Sequence, residues 1–419
     1  MRSLSSLEVS VEDNQKQEKE GMESNFSVAG KLGAFFSPNK IIFGVGAAKQ
    51  VGAEAKSLGG KKVLIVTDQG VAKAGLVEII KESLWSEKIR VDVFDKVEIE
   101  PPARVVDKCA QLLREEGYNL IIGLGGGSSL DTAKGAAIMA TNRGKVLDYA
   151  GVDLIHKRGL PKILLPTTAG SGSEVTRIFA VTDEVDKTKK PVYSNFGLAD
   201  VAILDPLLTV SMPPLVTATT GIDALAHAIE SYVSVNATPL SDILSIEAIR
   251  LVSESLPPTY AKRDKIGARF NMIIAAALAG LAWQSGGLGA VHGLSYILET
   301  EYHMAHGTAT AIMLPHVMDY NKIGNLKKYA KIAQAMGENI EGLSDYEAAE
   351  KSIGVVERLL ENVEISTSLT DHGVPKEGLP KLVEGGMKQA RLFVPNPRDL
   401  AEEDVRNIYS RALEGGSSM

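Results

Sequence analysis

Between Lys61 and Thr168, apolar runs of strand length alternate with longer segments in which apolar residues return every three or four positions. The runs KKVLIVTD (61–68), IRVDVFDKV (89–97), NLIIGLGGGS (119–128) and PKILLPTT (161–168) predict strands separated by helices, the signature of parallel βαβ units. IFAVTD (178–183) followed by DEVDKTKKPVYS (183–194) predicts a hairpin. After AILDP (202–206) almost nothing reads as strand, and helical periodicity runs to the end. This change of texture predicts an α/β domain over residues 25–208 and an all-helical domain over 209–419. Residues 1–24 are polar, lack the apolar centre of a signal peptide, and are expected to form a disordered tail or extension. The longest apolar stretch, Met272 to Trp283, reads as too short to cross a bilayer; its alanines predict a closely packed interior helix.

Composition narrows the function classes. A chain of 419 residues with 44% hydrophobic content buries a large core and exceeds one ordinary domain. A net charge of -7 argues against nucleic acid or an anionic membrane as partner, since both need clustered Lys and Arg. The single cysteine, Cys109, excludes a disulfide within the chain and a thiolate-based metal site, and suits a reducing, cytoplasmic setting.

Two loops carry candidate binding chemistry. In LIIGLGGGSSLDTAKG a strand passes through Gly125, Gly126 and Gly127 into a helix opened by Ser128 or Ser129, with Asp131 in its first turn. Glycines let backbone approach a ligand closely, and a helix start offers free N–H groups and a positive dipole end to a pyrophosphate. LLPTTAGSGSEVT again follows a strand at its carboxyl end and offers the hydroxyls of Thr167, Thr168, Ser171 and Ser173. Two such loops on one sheet edge indicate a nucleotide crevice. The first strand ends in Asp68, where an acid holds a ribose hydroxyl and repels a 2'-phosphate, pointing to NAD rather than NADP; the same residue also reads as a helix cap.

In GIDALAHAIE (221–230), Asp223 and His227 lie four residues apart on one helix face, in an otherwise apolar and small-residue run. Buried acids and imidazoles are costly unless paired or bound to a cation. His292 and His306 follow in the helical half, and with Asp223 and His227 they form a candidate set for Fe(2+) or Zn(2+). On spacing alone His303 and His316 are equal alternatives, whereas His156 and His372 read as surface residues.

Taken in order, SPNKIIFGVGA (37–47), GGGSSLDTAKG (125–135), PTTAGSGSEVT (166–176), LDPLLTVSMPPLVTATTGIDALAHAIE (204–230) and HMAHGTATAIMLPHVM (303–318) resemble the motifs of the iron-dependent alcohol dehydrogenase family. The resemblance implies a Rossmann-like NAD(H)-binding α/β domain, an all-α metal-binding domain and a divalent ion in the cleft between them. By motif position it places the ligands on Asp223, His227, His292 and His306, leaves out His303 and His316, sets Gly125 to Ser128 at the pyrophosphate, and sets Thr167, Thr168 and Ser171 around adenine and nicotinamide. It also implies a homodimer or larger assembly acting on a small primary alcohol, diol or hydroxy-substituted alcohol and its aldehyde. A cation stabilises the alkoxide from which hydride leaves.

Departures from that family pattern mark further candidates. Tyr296 stands in HGLSY where many members carry a further histidine, so Tyr296 becomes the candidate proton relay or substrate hydrogen-bond partner. Ile297, Glu299 and Thr300 replace a proline and small residues, and Glu299 is read as exposed because acids mostly are. Two other classes share features of this reading: a dehydroquinate synthase-like lyase that uses NAD transiently, and a hydroxyacid-oxoacid transhydrogenase that holds its cofactor tightly.

Overall fold

The computed structural model describes residues 33–415 apart from residue 187, so the expected tail at 1–24 lies outside the described residues. Residues 33–35 form no helix or strand. From Phe36 onward the chain forms one compact unit.

Its first half runs β1 (Ile41–Phe43), α1 (Val51–Ser57), β2 (Lys62–Val66), α2 (Gln69–Lys73), α3 (Leu76–Ser86), β3 (Arg90–Phe94), α4 (Ala103–Glu115), β4 (Leu120–Gly125), α5 (Gly127–Met139), β5 (Gly151–Val152), β6 (Lys162–Pro166), β7 (Ile178–Asp183), β8 (Thr188–Tyr193) and β9 (Val201–Leu204). The main sheet has the order β1-β9-β6-β4-β2-β3, with every pairing parallel. Alternate residues feed opposite faces: Leu64, Val66, Ile121 and Leu164 enter one core, and Val63, Ile65, Ile122 and Leu165 enter the other. Helices cover both faces, which is why these strands read as continuous apolar runs. Cys109 is buried in the first of these cores.

The predicted hairpin is present, with β7 antiparallel to β8 from Ile178 opposite Tyr193 to Asp183 opposite Thr188. β1, an edge strand of three residues, is too short to give a periodic signal and does not stand out in the sequence.

After β9 the described residues are helical: α6 (Pro214–Val233), α7 (Pro239–Ala261), α8 (Ile266–Gly286), α9 (Ala290–Tyr302), α10 (His306–Asn321), α11 (Leu326–Ala335), α12 (Asp345–Asn362), α13 (Leu379–Met387) and α14 (Glu402–Glu414). Helix α8 corrects one expectation. At 21 residues it is longer than the apolar run that marked it, and by length and composition alone it is long enough to span a bilayer. Its Met272, Ala275, Ala276 and Ala279 instead enter the helical core beside Ile222, Leu225 and Ile249. Ile273, Ala277 and Leu281 of the same helix meet Val175, Ala202 and Leu204, joining the helical half to the sheet.

Helix α6 is enclosed by close backbone approaches that small residues permit. A Cβ on Gly307 would lie 2.7 Å from the Thr219 carbonyl oxygen, and one on Gly170 would lie 2.9 Å from that of Thr220. The glycines therefore bring the start of α10 and the loop after β6 against the helix that carries Asp223 and His227.

Candidate metal centre and cofactor cleft

The crevice follows from the topology. The chain proceeds from β2 outward to β3, then returns to β4 on the other side of β2, so the connections diverge at the carboxyl ends of β2 and β4. That divergence leaves room for a ligand. Asp68 follows β2 and Gly126 follows β4; both line a cavity of about 710 Å³ together with Gly127, Ser128, Thr167, Thr168, Ser171, Asp223, His227, His292, Tyr296 and His306. One continuous space thus reaches from the glycine loop to the histidines.

At the sheet end, Gly125 lies at the base of the loop. Its φ is +152°, and a Cβ there would meet Ser129 Oγ at 2.5 Å, so only glycine fits. Gly126 and Gly127 face Thr168 and Ser171 at Cβ-equivalent distances of 3.4 and 3.0 Å, which puts the two loops in contact. The helix starts at Gly127, not at Ser128 or Ser129, because Gly126 in extended geometry already serves as its cap; no side chain caps it, and its first N–H groups remain free for an anion. Ser128 Oγ accepts from the Glu100 N–H at 3.1 Å. Asp131 is tied to Ser173 Oγ at 2.5 Å and the Ala180 N–H at 2.9 Å, so it clamps the loops instead of sitting in the first turn. Asp68 does cap α2, accepting from Gly70 and Val71, and its second oxygen takes the Ser129 hydroxyl at 3.3 Å.

At the helical end Asp223, His227 and His292 bring three buried donor atoms within 4.8 Å of one another, and His306 approaches the group on its Asp223 side. Asp223 Oδ1 lies 3.6 Å from His292 Nε2 and 3.5 Å from His306 Nε2, and Asp223 Oδ2 lies 3.7 Å from His227 Nδ1. These separations are too long for hydrogen bonds and suit donors around one small ion, since ligand bonds of about 2.0–2.2 Å set neighbouring donors a little over 3 Å apart. His227 Nδ1 and His292 Nε2 are buried and have no hydrogen-bond partner, a costly arrangement that a cation relieves. The donor set therefore fits a divalent ion.

Two carboxylates hold the rings from behind. Glu230 accepts from His292 Nδ1 at 2.5 Å and from the Val291 N–H at 2.6 Å; Glu299 meets His306 Nδ1 at 2.5 Å. Each pairing directs the Nε2 atom of its ring toward Asp223. Trp283 stacks on His227 with ring centres 5.5 Å apart. Burial opposes charge on His292, but Glu230 and Asp223 outweigh it and hold the ring at about 10. His227 is pushed down to about 3 by its burial. Asp223 is disfavoured as an anion by burial, yet His227, His306 and His292 hold it below the usual carboxylate range.

Glu299 corrects the surface reading: it is 5% exposed and bonds Lys189 of β8 as well as His306. The rule that acids are exposed fails here because the Lys189 ammonium and His306 Nδ1 both bond this one. Glu230 went unnoticed, although its signal is in the sequence, since Asp223, His227 and Glu230 recur at helical spacing on one face. Lys189 had no local signal, as its partners come from the loop after β3 and from α9. Tyr296 lines the cavity with its ring 6.2 Å from that of His306, and burial pushes its phenol up to about 12. His303 ends α9 in left-handed geometry and is exposed, and His316 Nε2 bonds the Thr367 carbonyl 2.9 Å away, so neither joins the cluster. His156 and His372 are exposed, as expected.

Comparison with known proteins identifies both halves of the chain. The iron-containing alcohol dehydrogenase family matches residues 38–206, and the C-terminal region of the Fe-containing alcohol dehydrogenase family matches residues 217–413. The chain is 44% identical over 375 residues to long-chain-alcohol dehydrogenase 1 of Geobacillus thermodenitrificans, covering 89% of this chain and 94% of that protein. It is 37% identical to the NAD-dependent methanol dehydrogenase of Bacillus methanolicus, covering 90% of this chain and 99% of that one. Among solved structures, a 1,3-propanediol oxidoreductase superposes with a TM-score of 0.89 at 39% identity, covering 91% of this chain and all of that one (100%).

Proposed function

The chain belongs to the iron-containing alcohol dehydrogenase family, an oxidoreductase family acting on CH–OH groups with iron and NAD(H), and from that premise we propose that it interconverts a small primary alcohol and its aldehyde at the Asp223–His227–His292–His306 cluster. The observation that carries the proposal is the convergence of one carboxylate and three imidazoles, two of them with unpartnered buried nitrogens, at the end of a cavity that begins at the glycine loop. When bound, a divalent ion there supplies charge to polarise the substrate oxygen, and NAD supplies the hydride acceptor.

The remaining work falls to the protein. Gly126 to Ser128 and the uncapped start of α5 receive the pyrophosphate, Asp68 the adenosine ribose, and Thr167, Thr168 and Ser171 the flanking rings. Glu230 and Glu299 fix the imidazoles so that little reorganisation precedes reaction. Trp283, Leu288, Phe179 and Val181 line the cavity with apolar surface that excludes water and accepts an alkyl chain. Tyr296 keeps its proton at neutral pH, so it acts as a hydrogen-bond donor to the substrate rather than as a base. A boundary near residue 208 falls between β9 and α6, and we place the division of the two domains there. The names of two relatives, a methanol dehydrogenase and a long-chain-alcohol dehydrogenase, support a substrate site in which the length of the alcohol is set by the lining and not by the scaffold.

The test is a spectrophotometric screen of alcohols with free NAD on protein reconstituted with Fe(2+) or Zn(2+). Alcohol-dependent net formation of NADH supports the proposal. Conversion without net NADH would instead point to a lyase or a transhydrogenase with tightly held cofactor.

A further inference from the structure

Glu299 joins two parts of the cleft that no other described side chain connects in this way. One carboxylate oxygen meets His306 Nδ1 at 2.5 Å, and the other meets the Nζ atom of Lys189, which projects from the second arm of the β7–β8 hairpin. Helix α9 carries Glu299, the start of α10 carries His306, and the hairpin belongs to the α/β half. Lys189 is gripped a second time by Glu100 at 3.0 Å, from the loop after β3, and its ammonium lies 5.2 Å from the centre of the Tyr296 ring. The side chain of Glu299 is 1% exposed and that of Lys189 is 16% exposed, so water does little to screen the pair. Lys189 and Tyr296 both line the main cavity.

We propose that Glu299 is a positioning residue that couples the metal centre to the β7–β8 hairpin: the carboxylate that aims His306 is the one that holds Lys189, so that ordering of the His306 ring and ordering of the hairpin strand that carries Lys189 stabilise each other. The inference rests on the reading of His306 as a metal ligand. Its physical basis is shared geometry. A carboxylate is planar, so fixing one oxygen on His306 fixes the direction of the other, and a mobile His306 leaves Lys189 with a mobile partner. Coupling of this kind is reciprocal. Metal loading tightens the hairpin, and loss of the hairpin contact weakens metal binding.

The experiment is hydrogen exchange of the hairpin amides in residues 178–193, measured on the full chain with and without one equivalent of Zn(2+), beside the rate at which a chelator removes the metal. In the unmodified protein the metal slows hairpin exchange. In Glu299→Gln the amide oxygen still accepts from His306 while the NH2 faces the Lys189 ammonium, so metal binds but the hairpin no longer responds. Lys189→Met removes the hairpin arm without touching Glu299 and produces the same loss of response, with metal release faster by about 10-fold; Glu299→Ala releases it about 10- to 100-fold faster. A hairpin that responds to metal equally in the parent, Glu299→Gln and Lys189→Met overturns the coupling while leaving the proposed function standing. A parent protein that binds no metal overturns both.

Discussion

Replacing Glu230 tests how far the metal centre depends on its supporting carboxylates. Glu230 accepts two charge-assisted bonds in a buried setting, from His292 Nδ1 at 2.5 Å and from the Val291 N–H at 2.6 Å, and the His292 side chain is 1% exposed. Glu230→Ala leaves both donors without an acceptor, at about 1–3 kcal/mol each in folding stability. It also frees the ring to rotate away from Asp223, for which loss of a supporting carboxylate costs about 10- to 100-fold in metal affinity, or about 1.4–2.7 kcal/mol. Glu230→Gln keeps one acceptor and turns an NH2 toward the other donor, so its effect is intermediate. The assay is competition with a chromophoric chelator for Zn(2+), beside kcat measured at rising metal concentration. We expect weaker binding in the order parent, Gln, Ala, and recovery of most of kcat when metal is saturating, because the four ligands remain. A metal dissociation constant unchanged in Glu230→Ala would refute the reasoning.

Other perturbations probe separate parts of the account. Asp68→Gly removes the acid at the cavity wall and is expected to raise the use of NADP relative to NAD by about 10-fold or more in kcat/KM ratio, while the lost α2 cap lowers stability by only a few tenths of a kcal/mol, since glycine is itself a fair cap. Burial pushes Glu174 up to about 7 from 4.5, so the unfolded chain gives up its proton first and folding stability falls as pH rises between those values. Glu174→Gln should therefore be more stable than the parent at pH 8, by about 1–3 kcal/mol in urea denaturation, and show no such gain at pH 4. Gly172 has φ +62° and its Cβ would lie 2.7 Å from the Ala276 carbonyl oxygen; Gly172→Ala is expected to cost about 1–3 kcal/mol and to lower the melting temperature. Tyr296→Phe should lower kcat/KM by about 3- to 10-fold and leave the shape of its pH profile between 6 and 9 unchanged, since the phenol stays protonated there.

The parts of this protein that sequence made legible are those whose physics is local. The runs around Val63–Val66, Ile121–Leu124 and Ile163–Leu165 show as strands because both of their faces are buried, and GIDALAHAIE shows as a buried helix because its alanines allow close packing on every side. Strand β1 was not visible, since three residues carry no period. At the site, Asp223 and His227 announced themselves by shared helix facing, and Glu230 carried the same signal three residues on. Glu299 was misread because its environment is non-local: the partners that make a buried acid tolerable lie 110 residues back at Lys189 and 7 residues on at His306. The distance from β8 to α9 is set by how the two halves close, which no window of sequence contains. Asp68 shows the converse, since the cap expected of it is present through one oxygen while the other bonds Ser129 Oγ at the cavity wall, where the ribose role proposed for it would also lie.

The most direct test of the central claim is to count metal and turnover on the same sample. Chelated protein, dialysed and titrated anaerobically with Fe(2+) or with Zn(2+), should bind one ion per chain and gain alcohol-dependent NADH formation in proportion, whereas Asp223→Asn should lose both together. Undiminished NADH formation by protein free of bound metal would contradict the account.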